Sequence, residues 1–228
     1  MTNKYDKTNS WMFIDLETSG LCSDRSEILE ICAVVTDENL VPVDQLDLVI
    51  HHPSNIVIPR SSGWCKKKFT SIERGGNGLF NECHYSTLSY PDAEYYLWKF
   101  FEFHCTNPPG TYRPQIEPRP LFDRAMGYNG ENINCHYDYY APTHIKPIQL
   151  AGSTIHFDRE FLLKFFPCLK KLVNHKVIDV TSILESVRRF NPEALIGLQK
   201  PRNLHRARDD IHDSILLLKY LKDRVIKK

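Results

Sequence analysis

Trp11-Met12-Phe13-Ile14-Asp15-Leu16-Glu17-Thr18-Ser19-Gly20-Leu21 is the stretch on which the reading of this chain turns. Trp11 to Leu16 is an apolar segment of strand type, and its acids come only at the end. A strand turns residues i and i+2 to one face, so Asp15 and Glu17 point the same way, with no cation beside them in sequence. Two carboxylates that close repel, so the pair invites a divalent metal.

Two more extended segments follow, Ile28 to Thr36 and Leu46 to His51, separated by turn residues such as Thr36-Asp37-Glu38-Asn39. With the first they predict an antiparallel meander. After Pro91, the spacing of Tyr95, Tyr96, Phe100 and Phe103 predicts a helix over Asp92 to His104, packed on the sheet by that face and ended by Asn107-Pro108-Pro109-Gly110. From about 105 to 147 the composition shifts to Pro, Tyr, Asn, Gly and His without a period. That is too long for an ordinary connection and reads as an insertion or extended surface loop.

Order returns with a short strand at Ile148 to Gly152, then a helix through Phe157, Phe161, Leu162 and Phe165 up to Pro167. A strand at Lys176 to Asp179, a helix over Thr181 to Phe190 and a last helix with Ile211, Ile215, Leu218 and Leu221 on one face complete the chain. Three strands followed by alternating helices and strands indicate a mixed α/β or α+β sheet. The expected organisation is a disordered tail over 1–10 and one domain over 11–228, interrupted by the insertion.

Bulk properties narrow the function classes. The 228 residues, 42% of them hydrophobic, are enough for one domain with a real core. A balance of 29 basic against 28 acidic residues argues against general coating of polyanions, so any nucleic-acid contact should be local. The seven cysteines are odd in number, show no CxxC spacing and follow no signal peptide. They point to reduced thiols in an intracellular protein, cytoplasmic in the first place, with the nucleus and mitochondrion open. The adjacent pairs Cys83-His84, His104-Cys105 and Cys135-His136 could gather around zinc, but structural zinc ligands normally stand two or more residues apart. The apolar runs are too short to cross a membrane.

Asp158 follows a Gly-Ser-Thr turn and starts a helix, which predicts a place at an exposed sheet edge. Asp210 falls in the first turn of the final helix, and His205 precedes it in the loop after Pro201. Four carboxylates and one histidine can converge. The order Asp-x-Glu, Asp, His-x-x-x-x-Asp resembles the DEDDh family of 3′-to-5′ exonucleases. The strings Ile14 to Leu21, Leu150-Ala151-Gly152-Ser153-Thr154-Ile155-His156-Phe157-Asp158-Arg159, Val177-Ile178-Asp179-Val180-Thr181 and His205-Arg206-Ala207-Arg208-Asp209-Asp210-Ile211 resemble its oligoribonuclease branch. Thr36 to Leu40 and Trp64-Cys65 extend the likeness.

The resemblance implies a ribonuclease-H-like α/β fold, a mixed five-stranded sheet of antiparallel meander plus parallel strands flanked by helices. It implies that Asp15, Glu17, Asp158 and Asp210 hold two Mg²⁺ or Mn²⁺ ions, that His205 is the general base, and that nucleoside 5′-monophosphates are released from the 3′ end of short RNA. Leu21 matches the family's apolar wedge between the last two bases, and Trp64 a tryptophan of the same pocket. In the family a partner subunit caps the 5′ phosphate, which makes a homodimer part of the site. Thr154, His175, Lys176 and Thr181 stand at those cap and phosphate positions. The chain departs from the pattern in several places: His175 replaces a tyrosine, Lys176 an arginine, Thr154 and Thr181 serines, and Phe69 falls where a histidine is common. A threonine keeps the hydroxyl, but a lysine lacks the two-pronged fork of arginine, which implies a weaker cap.

Each residue also has a plainer reading. Asp15 and Glu17 alone suit a solvated strand end, His205 a surface or capping histidine, and Asp209 a helix-start acid that is also the fallback for Asp210. Leu21 and Trp64 suit a core, and Lys66-Lys67-Lys68 a solvated face rather than a phosphate guide. Tyr137, Tyr139 and Tyr140 suit burial beneath a loop more than base stacking. Two competing functions remain: a DEDDh exonuclease open to longer RNA or single-stranded DNA, and a catalytically silent interaction protein using the insertion. Four mutually repelling carboxylates count against the silent protein.

Overall fold

The computed structural model describes residues 11–119 and 145–226. The expected tail over 1–10, Cys135-His136 and the tyrosines at 137, 139 and 140 lie outside them. Five strands form one sheet in the order β3-β2-β1-β4-β5. They are β1 (Trp11–Thr18), β2 (Ile28–Thr36), β3 (Pro42–Val49), β4 (Ile148–Gly152) and β5 (Val173–Asp179). β1, β2 and β3 pair antiparallel, while β4 pairs parallel to both β1 and β5. This is the mixed five-stranded sheet, an antiparallel meander plus parallel strands, that the family resemblance implies.

Period-two alternation sorts β1 between the two faces. Met12, Ile14 and Leu16 join the larger core cluster, and Phe13 joins the smaller one with Cys32, Val34 and Ala151. Asp15 and Glu17 share Phe13's parity and look to that second side. The helix there is α7 (Ala207–Leu221), which contributes Ile211, Ile215 and Leu218. The opposite face is covered by α4 (Tyr90–Thr106) and α5 (Ile155–Phe165), with α6 (Val180–Phe190) following β5. All nine residues of β2 are buried, because the strand is covered on both faces.

Three features differ from expectation. Helix α4 buries Ala93, Leu97, Trp98, Phe100, Phe101, His104 and Cys105, while Tyr95, Tyr96 and Phe103 are only partly buried. The stripe is thus rotated from the aromatic one, because Trp98 and Phe101 fill more core volume than the tyrosines, whose hydroxyls favour water. Second, β3 begins at Pro42 and β5 at Val173, where the exposed Pro42 and Val43 and the polar Asn174 and His175 interrupt the apolar pattern. Third, β3 and α4 are joined by three short helices, α1 (Ser54–Arg60), α2 (Gly63–Lys68) and α3 (Leu79–Tyr85), each too short for a readable period. They close a third cluster of Leu29, Val57, Cys65, Phe69, Leu79, Phe80 and Cys83.

Because α4 runs to Thr106, the irregular stretch starts at Asn107. Its described part lies against the edge strand: Arg113 donates from Nε and Nη2 to Asp44 at 2.6 and 3.1 Å and stacks on the Phe100 ring. Cys83 and Cys105 lie in different clusters and place their thiols on the carbonyls of Leu29 and Leu172. No helix of the described residues is long and apolar enough to cross a membrane.

Candidate active site

Asp158 sits in the first turn of α5 and is only 4% exposed, not at a sheet edge as the sequence suggested. β4, which leads to it, is an inner strand between β1 and β5. β4 pairs with β1 only as far as Phe13, so the Leu16 amide beyond is left without a strand partner on that side, and it donates to Asp158 Oδ1 at 2.9 Å. That bond fastens the start of α5 to the strand carrying Asp15 and Glu17. The turn is tight: a side chain at Gly152 would meet the Ile14 carbonyl at 2.9 Å.

Asp210 enters from the first turn of α7. Ligand atoms of Glu17, His205 and Asp210 come within 4.8 Å of one another. Asp209, one residue earlier, turns away to an ion pair with Arg202 at 3.0 Å. Asp210 and not Asp209 therefore faces the cluster.

The electrostatics are those of uncompensated negative charge. Burial, then the charges of Asp158, Glu17 and Asp210, hold the Asp15 carboxyl well above its usual range. Glu17 is pushed up to about 9 by burial and by Asp210, Glu30 and Asp158. Burial raises Asp158 to about 7 against the opposing Leu16 hydrogen bond, and Asp210 rises to about 6 through burial and its acidic neighbours. Oxygen donors, one imidazole and negative charge in excess fit a hard divalent cation. His205 is lowered by partial burial and then by the Lys68 charge, so its imidazole is neutral at physiological pH and free to accept a proton. Its ring lies edge-on to Trp64, with centroids 4.9 Å apart.

Two site-building residues escaped the sequence reading. Glu30 lies directly across from Glu17 in the β1–β2 ladder and is buried. It is neutralised by Arg206, whose Nη2 donates to it at 2.7 Å, and it also accepts from the Ala207 amide at 3.0 Å. Arg206 reaches Glu82 as well, at 2.7 Å. The signal was present: a glutamate inside the apolar run Ile28 to Val35 requires a partner.

No protein-family model matches the chain. The mitochondrial oligoribonuclease of Homo sapiens is 27% identical over 218 residues, covering 95% of this chain and 73% of that protein. The oligoribonuclease of Actinobacillus succinogenes is 29% identical over 222 residues, 97% of each chain. The chain is similar to the oligoribonucleases over nearly its whole length, which supports a 3′-to-5′ exonuclease of oligoribonuclease-like DEDDh type. In fold it is similar to Escherichia coli exonuclease I solved as a zinc-bound complex with single-stranded DNA, at a TM-score of 0.62 and 12% identity, covering 96% of this chain and 42% of that one. Exonuclease I of Methylocaldum szegediense gives a TM-score of 0.59 at 14% identity. The oligoribonuclease-like chain spans 41% of that protein's length.

The substrate residues expected from the oligoribonuclease resemblance separate into groups. Leu21 and Trp64 are 87% and 55% exposed, so neither is a core residue. Beneath Trp64 lies the buried Phe69, edge-on at 5.8 Å. The Thr154 and Thr181 hydroxyls are 3.2 Å apart, and Asp179 Oδ1 accepts from both backbone amides at 3.1 and 3.0 Å. His175 and Lys176 are exposed on the outer strand β5. In the lysine run, Lys66 and Lys68 spend their ammonium groups on the carbonyls of Pro59 and Asn203.

Proposed function

We propose that the protein is a divalent-metal-dependent 3′-to-5′ exoribonuclease that degrades short oligoribonucleotides, dinucleotides included, to nucleoside 5′-monophosphates. The observation that carries this is the convergence of Asp15, Glu17, Asp158 and Asp210 in one another's fields beside a neutral His205. The four carboxylates would hold two Mg²⁺ or Mn²⁺ ions, which supply activation of the attacking water and neutralisation of charge building at the phosphate and its departing 3′ oxygen. His205 takes the proton of that water as the new P–O bond forms and the bond to the 3′ oxygen breaks. Trp64, packed on His205, and the projecting Leu21 offer apolar faces to the terminal bases. The paired hydroxyls of Thr154 and Thr181 serve as phosphate donors.

Substrate length is set, in this reading, by a second copy of the chain. Its exposed His175 and Lys176 would meet the 5′ phosphate, so the working unit is a homodimer. Lysine as a point charge predicts a looser cap than arginine would give. The unit doing this work is the single domain 11–228 with its insertion, in an intracellular setting where the six described cysteines stay reduced.

Labelled RNA and single-stranded DNA of two to about twenty nucleotides, with Mg²⁺ or Mn²⁺, test the proposal against Asp15→Ala and Asp158→Ala. Metal-dependent release of 5′-monophosphates, lost in both variants and fastest on dinucleotides, is expected. Equal activity in all three proteins rejects the catalytic assignment, and indifference to length rejects the cap.

A further inference from the structure

His205 rests in the left-handed region of backbone space at φ +54°, and Asn203 two residues earlier at φ +53°. Side-chain-bearing residues seldom stay there unless the surroundings over-determine the conformation. Three tethers do so here. Arg206 is forked onto Glu30 and Glu82, and Lys68 Nζ donates to the Asn203 carbonyl at 3.1 Å. Asn77 Nδ2 donates to the carbonyl of His205 itself at 2.6 Å and reaches that of Leu204 at 3.4 Å.

Asn77 is itself fixed. Its backbone N–H donates to the Lys68 carbonyl at 2.9 Å, and its Oδ1 accepts from the Leu79 amide at 3.1 Å. With Oδ1 committed to a donor, only the amino end of the amide can face His205, which settles the orientation of the group. The loop leading to it is pressed onto α2's exit: a Cβ at Gly76 would lie 2.2 Å from the Thr70 carbonyl.

We propose that Asn77 is a positioning residue, whose amide locks the His205 backbone so that the imidazole stands over the carboxylates edge-on to Trp64. The inference rests on His205 being the proton acceptor, as proposed above. It assigns to the α2–α3 loop a part in the chemistry that no acidic motif reveals.

Asn77→Asp is nearly isosteric and keeps the acceptor for Leu79, but it sets an oxygen against the His205 carbonyl. With a dinucleotide and saturating Mn²⁺, it should lower kcat roughly ten- to a hundredfold while KM moves less than about twofold, the scale expected when a reacting group is misplaced. In a His205→Ala background the same substitution should cost nothing further, because two changes acting through one side chain do not add. Asn77→Ala, which removes the donor without adding charge, runs in parallel as a guard against misfolding of the aspartate variant. A second readout needs no activity: the Trp64 ring current should shift the His205 imidazole protons in the wild type, and both variants should return them toward exposed-histidine positions while core methyl resonances stay. A wild type inactive on dinucleotides would reject the proposed activity and leave the NMR signal to decide the positioning role. That role is overturned by retained kcat, by an equal loss with and without His205, or by an unmoved imidazole signal.

Discussion

The two ends of the β1–β2 ladder's acidic row behave in opposite ways. Glu30 is buried and met by an arginine, with a backbone amide completing its hydrogen bonds. Glu17, its direct cross-strand neighbour, has no such partner among the described residues, and its carboxyl is pushed up to about 9. Arg206 lies close enough to lower Glu17 slightly, but its guanidinium is consumed by Glu30 and Glu82. A balanced acid holds the loop in place, and an unbalanced one is the kind of group that the cation proposed above would compensate. The same contrast separates Asp209, paired with Arg202, from Asp210 beside it.

The largest effect should come from removing one unbalanced charge while keeping its shape. Asp158→Asn preserves an oxygen to accept from Leu16, so the turn survives, but the site loses a quarter of its carboxylates. Turnover should fall at least about a thousandfold, beyond the loss typical of a single hydrogen-bond donor. The metal-free variant should at the same time melt higher than wild type at pH 8, because a repulsion has been deleted. A variant that is both inactive and less stable would mean that Asp158 is chiefly structural.

Breaking the balanced pair should do the reverse. Arg206→Met leaves Glu30 buried without a counter-charge, which costs about 3–5 kcal/mol when one partner of such a pair is removed. Denaturant unfolding should show this loss with and without metal. A cost below about 1 kcal/mol would place the pair among surface ion pairs and dissolve the contrast.

How far these roles were readable depends on whether a residue's partner is local. Asp15-Leu16-Glu17, the strands β1, β2 and β4, and the buried stripe of α7 follow from periods of two and 3.6, which short windows carry in full. The local sequence marks Asp158 as a helix-start residue, but its buried place beside an inner strand is not legible there, because strand order is not written in β4 itself. Glu30, Arg206 and Asn77 are separated in sequence by 176 and 128 positions from the groups they meet, so their roles appear only in three dimensions. The short helices α1 to α3 fall below the length at which periodicity speaks, and at the starts of β3 and β5 polar residues such as Asp44, Gln45, Asn174 and His175 break the apolar signal.

Titration should sharpen the contrast at a smaller scale. Carboxyls whose folded values are raised hold protons that the unfolded chain releases near pH 4, so the stability they allow is full below that point. It is lost as pH climbs through about 6 for Asp210, 7 for Asp158 and 9 for Glu17. The metal-free protein should therefore melt progressively lower from pH 5 to 9, and Mg²⁺ or Mn²⁺ should raise the melting temperature more at pH 8 than at pH 5. A metal-induced shift independent of pH would detach the metal from these carboxylates.

The smallest effect belongs to the edge of the sheet, where Asp44 is the balanced acid at a distance from the site. Partial burial opposes its ionisation, but hydrogen bonds from Arg113 and His104 win and its value is lowered. A lowered value makes the sign opposite to that of the site: the contribution is present above the ordinary carboxylate range and lost as pH falls through the folded value. Arg113→Ala removes that fork and the guanidinium over Phe100, in a half-buried setting worth about 1–2 kcal/mol. The loss should be full at pH 7 and shrink toward pH 3, with turnover on dinucleotides unchanged, because Asp44 lies on the edge strand β3, beyond β2 from the strand that carries Asp15 and Glu17, and Arg113 packs on it from the stretch after α4. Should turnover fall with stability, the stretch after α4 would be coupled to the carboxylates through β3, and the separation between structural and site acids would fail at that edge.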